Sequence, residues 1–253
     1  NEKEEARFVI EKMRGLIKKG YSLKDFAILY RTHAQSRPLE EEFLIQGFPY
    51  KIVGALKFYE RKEIKDILAY LRILANPNDF VSLQRIYNVP VRGIGKAAFV
   101  RFAEFTRKNN LNLFEALLKA KEIDELQTKS RFALYAFGKT LEKIKSKIEK
   151  LELTKLINLI VSEVSYKEHL DPKTEEGYMR WENVKELLTV AKKYNSLETS
   201  DAMDKFLEEV ALIQESDPIR AKTSNGPRSA AETDMVQLMT LHSAKGLEFP
   251  VVF

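Results

Sequence analysis

Apolar residues recur at helical spacing over Glu4–Lys19, where Phe8, Val9, Met13, Leu16 and Ile17 line one face and Gly20 stands where the helix should stop. The period then changes. Phe26–Tyr30 (FAILY) and Val236–Thr240 (VQLMT) are nearly continuous apolar runs, too short for helices, and they read as buried strands. Tyr50–Val53, set between Gly47 and Gly54, reads as another strand, and Pro250–Phe253 as a last one. Helices are expected at Ser36–Gln46, Arg61–Leu74, Val81–Tyr87 and Lys96–Lys108. The second of these is the most regular: Ile64, Ile67, Leu68, Leu71 and Leu74 make its apolar face, and Asn76-Pro77 ends it.

From Leu113 to about Leu212 the strand signal disappears. Leu113–Ala120, Ser130–Leu151, Thr154–Val164, Glu176–Tyr194 and Asp201–Leu212 all read as amphipathic helices. Glu215–Asp234 is rich in Pro, Ser, Ala and Gly and has no period, which marks a flexible connection back to the strands. The pattern predicts an α/β fold, helix-rich overall, with an all-helical unit inserted between boundaries near Ile123 and Thr233. Trp181 falls on an apolar helix face with Val184, Leu187 and Leu188 and is expected in the core.

Composition narrows the chemistry. The chain has no cysteine, and His33, His169 and His242 are far apart without a ligand at zinc spacing, so no metal site is expected. No apolar run approaches the roughly 20 residues a membrane helix needs, which predicts a soluble intracellular protein without a membrane partner. A net charge of +5 is compatible with a nucleic-acid partner and also with an ordinary soluble protein. Lys139, Lys143, Lys145, Lys147 and Lys150 are read mainly as a solubilising face.

Candidate chemistry gathers at the strand ends. Val236–Phe253 is expected to fold as strand, polar turn opening a very short helix at Ser243–Gly246, and strand, with Thr240, His242, Ser243, Lys245, Gly246 and Glu248 in the break. In α/β folds ligands bind beyond the carboxyl ends of parallel strands, where loop amides meet anions, although the same residues also suit a merely solvated turn. FAILY delivers Tyr30 and Arg31 to its own carboxyl end; an arginine fork there can reach a phosphate, and a tyrosine can offer a face to a flat ring. Gly93 and Gly95 precede the helix at Lys96, flanked by Arg92 and Lys96, an arrangement that fits a phosphate at a helix N-terminus or a plain helix turn. Arg61, Lys62 and Lys65 give the Arg61–Leu74 helix a basic start, facing either DNA or water.

TLHSAKGLEFPVVF, from Thr240 to Phe253, resembles motif V of the UvrD/PcrA/Rep family of superfamily 1 DNA helicases. LYRTHAQSR (Leu29–Arg37) resembles that family's motif IV, with His33 where the family usually has Asn. Phe58–Asn76 (FYERKEIKDILAYLRILAN) and Asn88–Gly95 (NVPVRGIG) follow the family in the same order. The resemblance implies a partial RecA-like lobe of the P-loop NTPase type, the second such lobe (2A), with its helical 2B insertion. It divides the chain into 1–122, the first part of that lobe; 123–232, the insertion; and 233–253, the return, cut after motif V.

The resemblance also implies function. Tyr30 would stack on adenine, Arg31 would contact the γ-phosphate as the catalytic cation, and Gly246 and Glu248 would lie near phosphate and ribose. Thr240, His242 and Lys245, with Arg92, Gly93, Gly95 and Lys96, would hold DNA. ATP and Mg2+ are the implied cofactors, and single-stranded DNA, ss/ds junctions, an N-terminal RecA-like lobe in cis and repair or replication proteins the implied partners, in the bacterial cytosol at the nucleoid. The sequence holds no Gly-x-x-x-x-Gly-Lys-Ser/Thr phosphate loop and no acidic magnesium motif. The expectation is therefore an excised piece of an ATP-dependent 3′–5′ helicase, inactive alone. One alternative stays open, a non-enzymatic DNA-binding or docking module; the closeness of LYRTHAQSR and TLHSAKGLEF to the family pattern disfavours a helicase subunit of a nuclease complex.

Overall fold

The computed structural model describes residues 2–215 and 234–253. Apart from its two ends, the connection expected at 215–234 lies outside the described residues. The chain divides into two compact units, one made of Asn1–Arg61 with Glu209–Phe253 and one of Lys62–Glu208. The expected division near residue 123 passes inside the second unit.

The first unit is an α/β layer. It contains α1 (Glu2–Ile17), β1 (Phe26–Tyr30), α2 (Ser36–Ile45), β2 (Tyr50–Ile52), β3 (Val236–Thr240) and β4 (Val251–Val252). All pairings are parallel and the strand order is β2-β3-β1-β4. β3 comes from far along the chain and fills the slot between the first two strands. Ile28 sits opposite Leu238 and Tyr30 opposite Thr240. Alternate residues of β1 (Phe26, Ile28, Tyr30) and of β3 (Val236, Leu238) share one core cluster with Val9, Ile10 and Met13 of α1, Phe43 of α2 and Tyr50 of β2. Strands buried on both faces explain why FAILY and VQLMT show apolar runs and not a strict alternation.

The second unit is all-helical among the described residues. It comprises α3 (Lys62–Ala75), α4 (Phe80–Ile86), α5 (Lys96–Lys108), α6 (Leu113–Leu118), α7 (Thr128–Lys145), α8 (Leu153–Glu163), α9 (Tyr166–Leu170), α10 (Glu175–Ala191) and most of α11 (Thr199–Glu215). α3 packs against α4, α8 and α10, which is why the unit begins at Lys62. It buries its two acids with partners. Asp66 takes Arg85 Nε at 2.7 Å and the Tyr166 hydroxyl at 2.8 Å, and Glu63 takes Asn183 Nδ2 at 2.6 Å. Those partners offset a burial that unpaired carboxylates would not survive. Trp181 is half-buried beneath Lys167, whose Nζ lies 5.1 Å from the ring centre.

Candidate nucleotide and nucleic-acid site

Parallel strands place all their carboxyl ends on one edge, and three loops of the first unit leave from it. They follow β1 (31–35), β2 (53–57) and β3 (241–249). The first and third are joined directly, since Tyr30 pairs with Thr240 and the Leu241 amide donates to the Tyr30 carbonyl at 3.0 Å. The second is tied to β3 by the Val53 amide on the Leu238 carbonyl, at 2.9 Å. Gly54 then turns with φ 79°, and a β-carbon there would stand 3.2 Å from Ser243 Oγ. Glycine suits both demands, left-handed backbone and close approach.

On this edge Arg31, His242, Lys245, Gly246 and Glu248 are exposed. The fold thus brings the two family-like motifs, separated by most of the chain, onto adjacent strands. Gln35 Oε1 accepts from the Arg31 and Thr32 amides at 2.9 and 3.1 Å, which holds the loop closed while the Arg31 side chain faces solvent. The short helix expected at Ser243–Gly246 is instead a run of turns. Thr240 Oγ1 accepts from the Ser243 amide at 3.2 Å, Leu247 N bonds back to Ala244 O at 3.0 Å, and Gly246 adopts φ 83°, so no helical ladder builds up. Thr240 is 8 % exposed and its hydroxyl lies 3.0 Å from Ser243 Oγ, so it shapes the loop from within.

The Tyr30 ring is largely buried at 7 % exposure, in a T-shaped contact with His33 with ring centres 5.9 Å apart. Burial, then the nearby Glu40 charge, push its phenol well above the usual range. Behind the loops lies a buried cluster of Ser36, Glu40 and Arg61. Burial raises the Glu40 carboxyl despite the Arg61 guanidinium, while burial and then Arg61 lower the His33 imidazole. Arg61, expected to be solvated or to face DNA, is 5 % exposed. Lys62 is exposed and Lys65 half-buried.

The second unit carries the 88–96 turn. Gly93, Gly95 and Lys96 are exposed there, and Gly95 caps α5 without a side-chain hydrogen bond. Arg92 is used internally. Its Nη1 donates to the carbonyls of Ile86, Tyr87 and Pro90 at 2.9, 3.3 and 3.2 Å, its Nη2 to the Tyr70 hydroxyl at 2.6 Å, and its guanidinium lies 4.1 Å from the Phe137 ring centre. An arginine so occupied shapes the turn. Asn88 Oδ1 helps by accepting from the Arg92 and Ile94 amides at 2.7 and 3.2 Å.

Gly54, Ser36, Glu40 and Asn88 were not marked as site residues by the sequence, and Arg61 was read only as a cation facing DNA or water. Ser36, Glu40 and Arg61 lie inside or beside LYRTHAQSR and FYERKEIKD, and their place in those segments was the available signal. Among the described residues no cluster of three or more acidic or histidine groups could hold a metal, and no helix is long and apolar enough to cross a membrane.

Comparison with known proteins adds independent information. The model of the UvrD-like helicase C-terminal domain matches residues 1–253. ATP-dependent DNA helicase PcrA of Staphylococcus aureus (strain NCTC 8325 / PS 47) is 41% identical over 255 residues, covering 100% of this chain and 33% of that protein. PcrA of Bacillus subtilis (strain 168) is also 41% identical, with 34% of its length covered, and PcrA of Staphylococcus epidermidis is 39% identical. The chain therefore spans about a third of the length of the curated relatives it matches.

Proposed function

Because the chain belongs to the family of UvrD-like helicase C-terminal domains, we propose that it is the second motor lobe of an ATP-dependent 3′–5′ DNA helicase. One observation carries the reading. The loop bearing Arg31 and the loop bearing His242, Lys245, Gly246 and Glu248 leave adjacent parallel strands on one edge, where a lobe can meet both a nucleotide and a strand of DNA.

Arg31 is assigned to a phosphate group, and Gly246 and Glu248 to the nucleotide. His242 and Lys245 are assigned to the single strand, with Thr240 shaping their loop. Gly93, Gly95 and Lys96 are assigned to a phosphate backbone, such as that of the duplex at a junction. ATP with Mg2+ would supply the free energy of movement, the phosphate loop and magnesium ligands coming from a first RecA-like lobe in cis. Repair or replication proteins of the bacterial cytosol are the partners this reading entails.

The test is DNA-stimulated ATP hydrolysis, measured on the chain and on the full-length protein that carries it. Turnover in the full-length protein and none in the chain is expected, and His242→Ala should reduce stimulation by DNA. Arg31→Ala separates its two possible phosphates: loss of hydrolysis with DNA affinity retained assigns the nucleotide, where such an arginine can supply on the order of 10³ in rate. No DNA-stimulated hydrolysis in the full-length protein would favour a docking module and sink the proposal.

A further inference from the structure

Three side chains from two segments of the first unit meet beneath the loop edge. Ser36 and Glu40 lie one turn apart on α2, and Arg61 ends the segment that follows β2; their exposures are 0, 5 and 5 %. Glu40 Oε1 is 2.6 Å from Ser36 Oγ and 3.5 Å from Arg61 Nη2, and Glu40 Oε2 accepts from the Phe58 amide at 3.0 Å. Arg61 Nη2 donates to Ser36 Oγ at 2.8 Å, and its Nε donates to the Leu56 carbonyl at 3.2 Å. Ser36 Oγ also stands 2.8 Å from the His33 carbonyl, so its single proton serves one of two acceptors.

Stability alone gives a weak reason to bury this trio, since well-packed apolar residues of similar volume are often at least as stabilising as a buried ion pair. What an apolar trio cannot do is fix main-chain groups by direction. Here the His33 carbonyl, the Leu56 carbonyl and the Phe58 amide are all held by one cluster. The first belongs to the loop after β1 and the other two to the segment after β2. That segment also brings Gly54 against Ser243, in the loop after β3.

We propose that Ser36, Glu40 and Arg61 form a positioning clamp that sets the loops after β1 and β2 against the 240–243 turn, so that Arg31 and His242 act in register on their ligands. The clamp rests on the motor-lobe reading for its activity, though not for its geometry. Arg61 and Glu40 are positioning residues, acting through loops whose exposed side chains do the binding.

Arg61→Met, Arg61→Lys and Glu40→Gln, made in the full-length protein, test this by two readouts. In Arg61→Met the Thr32 and Phe58 amides should exchange with solvent about tenfold faster or more, while Ile28 and Leu238 in the sheet keep their protection. DNA-stimulated kcat should fall by about tenfold or more with KM for ATP nearly unchanged, because misplaced groups cost turnover. Arg61→Lys should recover part of both. Should Arg61→Met fail to fold, the near-isosteric Glu40→Gln provides the same readouts. Wild-type protection at Thr32 and Phe58 would overturn the clamp, as would loosened loops with unchanged kcat. Absence of DNA-stimulated hydrolysis in the unsubstituted protein would instead overturn the motor-lobe reading, and the exchange comparison would then decide the clamp by itself.

Discussion

Arg92 directs its guanidinium at three main-chain carbonyls and the Tyr70 hydroxyl, and Tyr30 turns its ring into the core. Residue type and a strand end or glycine turn were legible for both; which donors the fold had already taken was not, because the takers lie on other elements. His33 offers a test at this scale. Burial and the Arg61 charge lower its imidazole below the usual 6.5, so the unfolded chain binds the proton more readily. Its contribution to stability is therefore present near neutrality and is lost as pH falls from 6.5 through the folded-state value. The raised Glu40 carboxyl works with the opposite sign, its contribution declining as pH rises above 4.5, so only a substitution isolates the histidine. Urea unfolding between about pH 5 and pH 7 should show the wild type gaining stability relative to His33→Asn as pH rises, the histidine adding a positive increment to the pH slope. Identical slopes would refute the account.

Single elements were read most accurately where one period runs uninterrupted. The expected strands at Phe26–Tyr30 and Val236–Thr240 and the helix at Lys96–Lys108 have those bounds in the structure. α7 ends at Lys145, not at the expected Leu151, and Ile148–Lys150 forms a separate 3-10 turn. α9, bracketed by Ser165 and Asp171 at positive φ, was not anticipated; five residues are too few to display a period. Packing between α6 and α7 depends on Gly138, where a β-carbon would stand 2.7 Å from Leu117 Cβ and 3.1 Å from its main-chain carbon. Gly138→Ala should therefore destabilise the protein by about 1–3 kcal/mol, overpacking outweighing alanine's better helix propensity. Thermal unfolding checks this, and an unchanged or raised Tm would count against so close a contact.

For the molecule as a whole, which part can fold alone follows from topology. β3 is the neighbour of both β1 and β2, so residues 1–61 alone have strands with no central partner, whereas Lys62–Glu208 carries its own core and its own partners for its buried acids, Arg85 for Asp66 and Asn183 for Glu63. Residues 62–208 expressed alone should give a cooperative thermal transition with helical circular dichroism, and residues 1–61 alone should not. A non-cooperative 62–208 would mean that its core is not self-sufficient. The sequence by itself determined the types of the longer elements, the α/β frame around a helical insertion and the motifs that resemble a helicase, because hydrophobic period and motif spacing are local properties of the chain. Tertiary structure alone decided that β3 enters between β1 and β2, that Arg31 and His242 therefore share an edge, and that the side chains of Tyr30, Arg61 and Arg92 are drawn into internal contacts. Those outcomes depend on partners distant in sequence, and only the burial and pairing of the folded chain fixes who the partners are.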